Sequence, residues 1–431
     1  MVREQKAWII TADMGYGHQR AAYPLKDIAY ERIICANSDK IISEKEQKIW
    51  KKSQTFYEWI SRINEFPLIG KSLFKAFDYF FQGISPFYPL INSPRPTFQV
   101  RFLQRQVEKG LGKSLIKYVT EKDFPFVTTF YLPAIVANYH NLKNTYCVIT
   151  DTDINRVWVP EKPEGNIINY FVPCEHAYKR LISYGIKPTN LFLTGFPLPK
   201  ENIGGIGSPI TKKVLATRLI NLDPKKLFIK TYEPIIKKEL GTFFNLKKKA
   251  SPPTITFVTG GAGAQKEIGV QILKSLKKKL IAREVNFCLV PGTHLDIKQY
   301  FLDAIKKEKL DDLVGKNLTL ISEITKKDYF AAFNEQLNIT DILWTKPSEL
   351  SFYTALGIPI IIAPPLGEQE KRNRRWLTDL GAGTDQLKPE YFSDWLDEWL
   401  DEGLLARKAW NGYLYAPRLG TYNIERILFQ K

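Results

Sequence analysis

Two glycine-rich turns, one in each half of the chain, have the composition of phosphate-binding loops. They comprise Gly15, Gly17 and His18 in the first half, and Gly260, Gly261 and Gly263 in the second. Each turn follows an apolar run, at 7–11 or 255–258, and precedes a helix-like run, the first of which is predicted over 18–31. A strand, a glycine turn and a helix in this order direct backbone N–H groups and the positive end of the helix to one point. The pair predicts two Rossmann-like halves.

The first turn also offers a general base. His18 follows the glycines directly, and a histidine titrates near neutral pH, so that it can accept a proton from a hydroxyl group. Asp13, before the turn, and Asp151, after another apolar run, are alternative bases. The competing interpretation of His18 is a residue at the start of a helix with no part in catalysis.

The sequence does not favour a metal site. Asp151-Thr152-Asp153 has the Asp-x-Asp spelling of a metal-binding motif, but it lies in the first half, remote in sequence from the second glycine turn. We therefore expect no metal ion at the site and no cofactor.

Apolar runs that alternate with helix-like runs predict an α/β fold with parallel sheets. Residues 1–200 form the predicted first Rossmann-like domain, with an aromatic and basic insert at 45–110. Residues 201–252, which begin Gly-rich and end at a Pro-rich stretch, form a predicted basic helical linker. Residues 253–390 form the predicted second domain, and 391–431 are predicted helices that pack back on the first.

The net charge of +17 is concentrated in two stretches. Residues 212–249 contain 11 Lys or Arg against three acids, and residues 45–109 contain 11 against five. Fourteen of the 54 residues at 49–102 are aromatic. Two interpretations of 49–102 stay open. It forms helices packed on the sheet, or an amphipathic patch whose rings enter an anionic membrane surface while its cations meet lipid phosphate.

The remaining composition points to a cytoplasmic protein. The four cysteines are scattered without a CxxC pair, so that neither a zinc site nor a disulfide framework is indicated. No apolar run approaches the roughly 20 residues of a membrane span. We expect a cytoplasmic chain, with peripheral attachment to the inner membrane face if the insert binds lipid. No nucleic-acid-binding module accompanies the charge, so no nucleic-acid partner is expected.

Several further motifs follow one another in a recognisable order. They are Gly15-Tyr16-Gly17-His18, Thr150-Asp151 with Trp158, Thr194-Gly195-Phe196-Pro197-Leu198, Gly260-Gly261-Ala262-Gly263, Thr345-Lys346, Ala355-Leu356-Gly357-Ile358-Pro359, Gln369-Glu370 with Asn373, and Gly381-Ala382-Gly383. The set spans most of residues 6–385 and resembles the GT-B glycosyltransferases. Within that class it is most similar to the family 28-like enzymes, namely the monogalactosyldiacylglycerol synthases and the bacterial N-acetylglucosaminyltransferase of the lipid-linked peptidoglycan precursor. The resemblance implies two Rossmann-like domains with parallel sheets that face an interdomain cleft.

The resemblance also implies an activity. An inverting, metal-independent enzyme would move a sugar from a nucleoside-diphosphate donor, a UDP-sugar, to a lipid or lipid-linked acceptor. The second glycine turn and Lys346 would offset the charge of the leaving diphosphate. The donor-side residues so implied are Gly260, Gly261, Gly263, Thr345, Lys346, Glu349, Gln369, Glu370 and Asn373. Gln369 and Asn373 share one helical face and would bond sugar hydroxyls, with helix capping as the competing interpretation.

Two positions depart from the family pattern. The histidine that often stands between the Thr-Asp pair and Trp158 is missing here, with Arg156 nearby. The acid that holds the nucleotide ribose falls near Phe352, and Glu349 lies three residues earlier. Two other functions therefore stay open. A nucleotide-sugar 2-epimerase needs carboxylates and histidines in its cleft and no lipid-binding insert. A non-catalytic GT-B scaffold that binds a membrane or a partner needs no ribose-binding acid.

Overall fold

The structure, a computed structural model, describes residues 5–50, 84, 94–259 and 263–429. The chain divides into two compact units. The first comprises Met1–Pro197, Leu366–Arg372 and Leu419–Lys431, and the second comprises Leu198–Pro365 and Asn373–Arg418. Most of the aromatic and basic insert predicted at 45–110 lies outside the described residues.

The first unit contains a parallel sheet, which in its described part has six strands in the order β2-β1-β3-β4-β5-β6. Its elements up to residue 193 are β1 (Ala7–Thr11), α1 (Tyr16–Ala22), β2 (Ala29–Cys35), α2 (Phe98–Glu108), α3 (Lys113–Val119), β3 (Phe126–Thr128), α4 (Tyr131–Tyr139), β4 (Thr145–Val148), β5 (Asn169–Val172), α5 (Glu175–Ser183) and β6 (Leu191–Leu193). The predicted α/β class is therefore confirmed for this unit.

The second unit contains another parallel sheet, with six strands in the order β12-β11-β10-β7-β8-β9 over the part of the chain that the structure describes. The later elements are α6 (Lys200–Ile203), α7 (Pro209–Asn221), α8 (Leu227–Leu240), β7 (Thr254–Val258), α9 (Lys266–Ser275), α10 (Lys277–Ile281), β8 (Asn286–Gly292), α11 (Leu295–Lys307), β9 (Leu318–Ser322), α12 (Lys326–Leu337), β10 (Ile342–Thr345), β11 (Ile360–Ile362), α13 (Glu368–Asp379), β12 (Gly383–Asp385), α14 (Phe392–Asp401), α15 (Leu404–Tyr415) and α16 (Gly420–Phe429). None of the described helices is long and apolar enough to cross a bilayer.

The central strands are buried throughout and mostly apolar, as expected where helices cover both faces of a parallel sheet. Every residue of β1 and of β7 is buried, and so is every residue of β10 and β11. Strands buried on both faces show continuous apolar runs rather than alternation. The sequence runs at 7–11 and 255–258 have this character, and both are strands as predicted.

Each sheet has a point at which the strand order reverses. In the first unit the chain passes from β1 to β2 on one side and then adds β3 on the other side of β1. In the second unit it passes from β7 to β8 and β9, and then adds β10 on the opposite side of β7. The loops after the two adjacent strands diverge there and leave a crevice at their carboxyl ends, the usual ligand site of open α/β sheets. The first glycine turn follows β1, and the second follows β7.

The helix predicted over 18–31 is wrong in its second half. The helix α1 ends at Ala22 and passes into a 3-10 segment over Tyr23–Ile28, and β2 then begins at Ala29. Pro24 has no N–H to continue the helical hydrogen bonds, so that the α-helix cannot extend through it. The run Arg32-Ile33-Ile34 belongs to a strand.

The observed units also divide the chain differently from the sequence-based boundaries. The stretch 201–252 lies in the second unit, where Leu219 of α7 and Ile236 of α8 belong to the core. The helices α14 and α15 lie in the second unit as well. Only α16 of the C-terminal helices lies in the first unit, where Ile424 packs in the core and Asn423 Nδ2 donates to Thr194 O at 2.9 Å.

Arg218 of α7 anchors the part of the second unit that carries β10. Its guanidinium is fully buried and donates to four backbone carbonyl groups. The bond lengths are 2.8 Å to Thr340 O, 2.9 Å to Leu356 O, and 3.1 Å to both Gly357 O and Leu337 O. These carbonyls lie before β10 and at the end of the helical turn after it. Arg218 therefore fixes both ends of the segment that contains Thr345 and Glu349.

We predict that Arg218→Met lowers the free energy of unfolding by about 3–5 kcal/mol, because it leaves several buried carbonyl groups without donors. Urea denaturation followed by circular dichroism measures the change. Arg375→Met is the control, since Arg375 is exposed and its change should stay within about 0.5 kcal/mol. Equal effects of the two substitutions would contradict the anchoring role of Arg218.

Candidate functional site

His18 lies on the first turn of α1, at the switch point of the first sheet, which is the place between β1 and β3 where the strand order reverses. Its Nδ1 is 2.7 Å from the carbonyl oxygen of Thr129, the residue that follows β3. A carbonyl only accepts hydrogen bonds, so Nδ1 carries the ring proton and Nε2 keeps its lone pair. Thr129 Oγ1 also donates to His18 O at 2.7 Å. One residue thus fixes both the backbone and the tautomer of His18.

The surroundings keep His18 neutral. The ring centroids of Phe130 and Trp158 lie 4.7 and 6.1 Å from that of His18. Burial lowers the pKa of His18 to about 4, although the bond to the Thr129 carbonyl acts in the opposite direction. At neutral pH the imidazole is therefore unprotonated, which is the state that a general base requires.

The loop before His18 is held in shape by Asn37, which lies just beyond β2. Asp13 N donates to Asn37 Oδ1 at 2.8 Å, and Asn37 Nδ2 donates to Asp13 O at 3.1 Å. Gly15 then adopts φ 96° and ψ 173°, a region open almost only to glycine. The conformation explains the glycine here, since a side chain would meet no atom within 4 Å. Gly17 lies within α1 beside His18.

The hydroxyl group of Thr150 lies between the side chains of Asp151 and His18. Thr150 Oγ1 is 3.4 Å from His18 Nδ1 and 3.5 Å from Asp151 Oδ2. The three residues come from the carboxyl ends of β1 and β4. The structure therefore brings two of the predicted bases together, and Asp13 lies on the same loop as His18.

Asp153 has a structural role. It is fully buried, and both of its oxygens accept from Arg180, at 2.7 Å from Nε and 2.9 Å from Nη2. His176 Nε2 lies 3.0 Å from Oδ2. Burial alone would raise the pKa of Asp153, but the bonds from His176 and Arg180 outweigh it and the pKa is lowered. The Asp153 carboxylate is therefore hydrogen-bonded by the Arg180 guanidinium and the His176 imidazole.

The second glycine turn joins β7 to α9 at the other switch point. Gly260 and Gly261 lie outside the described residues. Gly263 has φ +69°, and a side chain there would collide with Ile297. Gln265, at the start of α9, donates from Nε2 to Pro364 O at 2.9 Å. This bond ties the loop after β7 to the loop after β11.

Thr345 ends β10 beside the end of β7. It pairs in register with Val258, the last residue of β7. Its side chain is fully buried, and Oγ1 has no hydrogen-bond partner within the described parts of the chain. An unsatisfied buried hydroxyl is costly, and an oxygen of a bound ligand would satisfy it. Lys346 follows directly and is half-buried.

Position 352 has no carboxylate, and Glu349 lies three residues closer to the end of β10. Phe352 is 2% exposed, and its ring centroid lies 5.2 Å from that of Trp376. It is a core residue. Glu349 is half-buried and begins the 3-10 segment that follows β10, after Ser348, whose Oγ accepts from Leu350 N. Glu349 is therefore four positions beyond the last residue of β10, and its role in holding the ribose stays a prediction.

The three polar residues at the start of α13 differ in burial and in the unit to which they belong. Glu370 Oε2 accepts from Leu366 N at 2.7 Å, so this carboxylate caps the helix. Gln369 is half-buried and belongs with Glu370 to the first unit, whereas Asn373 is fully buried and belongs to the second. This bond is the kind of contact that the capping interpretation predicts, and a role of Glu370 in donor binding stays a prediction.

Two residues that hold the first site were absent from the sequence-based set. They are Thr129, which fixes the tautomer of His18, and Asn37, which shapes the loop at Asp13. Each stands one or two residues beyond the end of a strand. A polar residue at that position in a parallel sheet is the signal that could have identified them.

Comparison with known proteins extends over most of the chain. Processive diacylglycerol beta-glucosyltransferase from Bacillus pumilus is 24% identical over 397 residues, which cover 89% of this chain and 83% of that protein. UDP-GlcNAc 2-epimerase from Neisseria meningitidis aligns with a TM-score of 0.48 and 12% identity, over 99% of this chain and 100% of its own. MurG from Acinetobacter baumannii aligns with a TM-score of 0.44 and 14% identity, over 76% and 79%. A family described as a domain of unknown function, DUF6938, matches residues 238–405.

Two Rossmann-like units on one chain are the architecture of the GT-B class, as predicted. The predicted resemblance to glycosyltransferases is confirmed by the similarity to the diacylglycerol glucosyltransferase of Bacillus pumilus.

We predict that His18 makes the protein less stable in acid. Its pKa is lowered from the ordinary 6.5 to about 4, so the unfolded chain binds a proton first as the pH falls. The stability present above pH 6.5 is therefore lost between pH 6.5 and 4, by roughly 1–3 kcal/mol. His18→Asn keeps a donor for Thr129 and should reduce this loss, whereas the exposed His140→Asn should not. Denaturant melts at pH 7 and pH 4.5 measure the loss in both variants, and identical losses would contradict the lowered pKa of His18.

We predict opposite effects of Thr345→Val on stability and on ligand binding. Replacing the unpaired hydroxyl with a methyl group should leave the melting temperature unchanged or raise it. It should weaken binding of uridine diphosphate about 10-fold or more, since a hydrogen bond to a charged group contributes roughly 1.5–3 kcal/mol. Calorimetric titration and thermal melts measure the two effects.

Thr354→Val is the matched control for this substitution. Thr354 has a similarly unpaired buried hydroxyl among the described residues, but it packs against Gly412 of α15. This control should resemble Thr345→Val in stability and bind uridine diphosphate like the unchanged protein. Unaltered affinity in Thr345→Val would remove Thr345 from the donor site.

Proposed function

We propose that the chain is an inverting, metal-independent glycosyltransferase that moves a sugar from a UDP-sugar to a lipid acceptor of the diacylglycerol type. The observation that carries the proposal is that each glycine turn follows the first strand at the switch point of its own parallel sheet. One chain thus has two crevices of the kind that bind ligands, as a transferase with separate donor and acceptor substrates needs. The similarity to the diacylglycerol beta-glucosyltransferase of Bacillus pumilus supports the transfer of a sugar to an acceptor of the diacylglycerol type.

The second unit would bind the donor. The start of α9 would offer a positive helix end to the diphosphate, and the glycines that precede it in the sequence would leave room for the phosphate to approach the backbone. Lys346 adds a cation and Thr345 a hydroxyl donor, and Glu349 would hold the ribose. These groups favour negative charge, which grows on the diphosphate as the bond to the sugar breaks.

The first unit would supply the base. The acceptor hydroxyl oxygen attacks the anomeric carbon, the bond from that carbon to the diphosphate oxygen breaks, and the hydroxyl proton passes to Nε2 of His18. The Thr129 carbonyl holds the proton on Nδ1 throughout. A direct displacement of this kind inverts the anomeric centre. Asp151, linked to His18 through Thr150, would stabilise the imidazolium, and Asp151 or Asp13 is the alternative base.

The charge on the leaving diphosphate would be balanced without a metal ion. Asp153, the second carboxylate of the Asp151-Thr152-Asp153 motif, is fully buried and accepts from Arg180 with both oxygens. It is therefore poorly suited to bind a divalent cation. Lys346 and the helix start are the groups that would take this part.

The exposed residues of α2 support the part of the proposal that concerns contact with lipid. Phe98 and Phe102 are one turn apart on this helix and are 76% and 55% exposed. Arg101 and Arg105 lie between and beyond them on the same helix. Exposed rings beside arginines suit the headgroup boundary of an anionic bilayer. The protein would then work as a peripheral protein on the cytoplasmic face of the membrane.

We predict that the purified chain transfers radiolabelled sugar from a UDP-sugar to diacylglycerol in vesicles that contain anionic lipid. His18→Ala should lower turnover about 10²–10⁴-fold while donor affinity stays nearly constant. His140→Ala, with an exposed ring in the same unit, is the control. The acid limb of kcat/KM should lie near pH 4 rather than 6.5, because it reports the pKa of the free base.

Three outcomes would contradict parts of the proposal. Epimerised UDP-sugar formed without an acceptor would identify a 2-epimerase. Binding of nucleotide without turnover of any sugar would indicate a non-catalytic scaffold. Full turnover by His18→Ala would transfer the role of base to Asp151 or Asp13.

A further inference from the structure

The helix α8 and the segment that follows it expose an apolar and basic surface in the second unit. The inner face of α8 carries Phe228, Ile229, Ile236 and Leu240, which belong to the core. Four large side chains of the same region face solvent instead. They are Leu227, Tyr232, Ile235 and Phe243, which are 53, 43, 55 and 42% exposed. We call these four residues, with Lys230, Lys238, Lys247 and Lys249, the α8 surface.

The helical positions place apolar and cationic groups side by side. Leu227, Lys238 and Thr231 project within about 40° of one another on a helical projection at 100° per residue. Ile235 flanks this stripe on one side and Lys230 on the other. The result is an outward face with an apolar edge and a lysine edge, rather than the polar face usual on the solvent side of a surface helix.

The charge of the segment is strongly one-sided. Residues 225–249 contain eight lysines and two glutamates. Both glutamates have lysine partners, since Glu233 pairs with Lys237 and Glu239 with Lys212. The four lysines of the α8 surface are exposed. The α8 surface is therefore complementary to an extended, negatively charged surface.

We infer that the α8 surface binds an anionic lipid bilayer. Lysines next to aliphatic and aromatic side chains match the headgroup boundary, where cations meet phosphate and apolar groups enter the acyl region. A nucleic acid would neutralise the lysines but would leave Leu227 and Ile235 in water. The apolar edge therefore favours lipid over nucleic acid.

The inference goes beyond the proposed function, which assigns lipid contact to the first unit alone. The second unit would have a membrane-binding surface of its own. Vesicle binding is measured without substrate, so a failure of this inference leaves the transferase proposal intact. A protein without transferase activity could likewise still bind vesicles through the α8 surface.

Co-sedimentation of the full chain with phosphatidylglycerol–phosphatidylcholine vesicles tests the charge. Four reversals, Lys230→Glu, Lys238→Glu, Lys247→Glu and Lys249→Glu, should lower the partition coefficient about tenfold or more. The control reverses Lys306, Lys307, Lys309 and Lys316, four exposed lysines of the same unit, and changes the net charge equally. Equal losses in the two variants would show a general charge effect and overturn the inference.

Hydrogen exchange tests the location directly. Anionic vesicles should slow amide exchange over residues 227–243 and leave residues 295–307 unchanged. Leu227→Ser with Ile235→Ser should remove this protection, whereas Ile324→Ser with Ile339→Ser, which alters residues 89 and 63% exposed, should retain it. Absence of protection over 227–243 in the unchanged protein would overturn the inference. Protection by an RNA oligonucleotide but not by vesicles would overturn it in favour of nucleic acid.

Discussion

The reversal of strand order in each parallel sheet is the constraint on which the rest of the structure depends. The loops after β1 and β3 diverge in the first unit, and those after β7 and β10 diverge in the second. Both glycine turns follow the first strand at such a point. The buried strands keep the loop ends fixed, and Arg218 ties the segment around β10 to the helix α7. Packing far from the crevices thus determines which polar groups line them.

The two crevices differ in their electrostatic character. The first contains a neutral histidine among aromatic rings, with its proton fixed on Nδ1 by the Thr129 carbonyl. The second is formed by a helix start, Lys346 and the Thr345 hydroxyl, which has no partner among the described residues. One environment suits removal of a proton from a hydroxyl, and the other suits an anion. This difference is the physical basis for assigning acceptor chemistry to one unit and the nucleotide to the other.

The sequence predicted the fold where a local pattern was sufficient. Continuous apolar runs identified β1 and β7, and the glycine turns identified the loops after them. The strand β2 was missed because its start lies close behind Pro24, in a stretch that also fits a helical pattern. The position of Thr129 directly after β3 could have marked it as a candidate, but its bond to His18 could not be predicted, because the two residues are 111 positions apart and only the pairing of β1 with β3 brings them together. The unpaired state of Thr345 depends on the whole packed core.

Photo-crosslinking with 5-azido-uridine diphosphate, followed by mass spectrometry of the labelled peptides, tests the central claim most directly. The label should appear in peptides of the second unit that contain residues 259–265 or 345–349, and excess uridine diphosphate should displace it. Displaceable labelling confined to residues 11–18 or 129–130 of the first unit would contradict the division of labour between the two switch points.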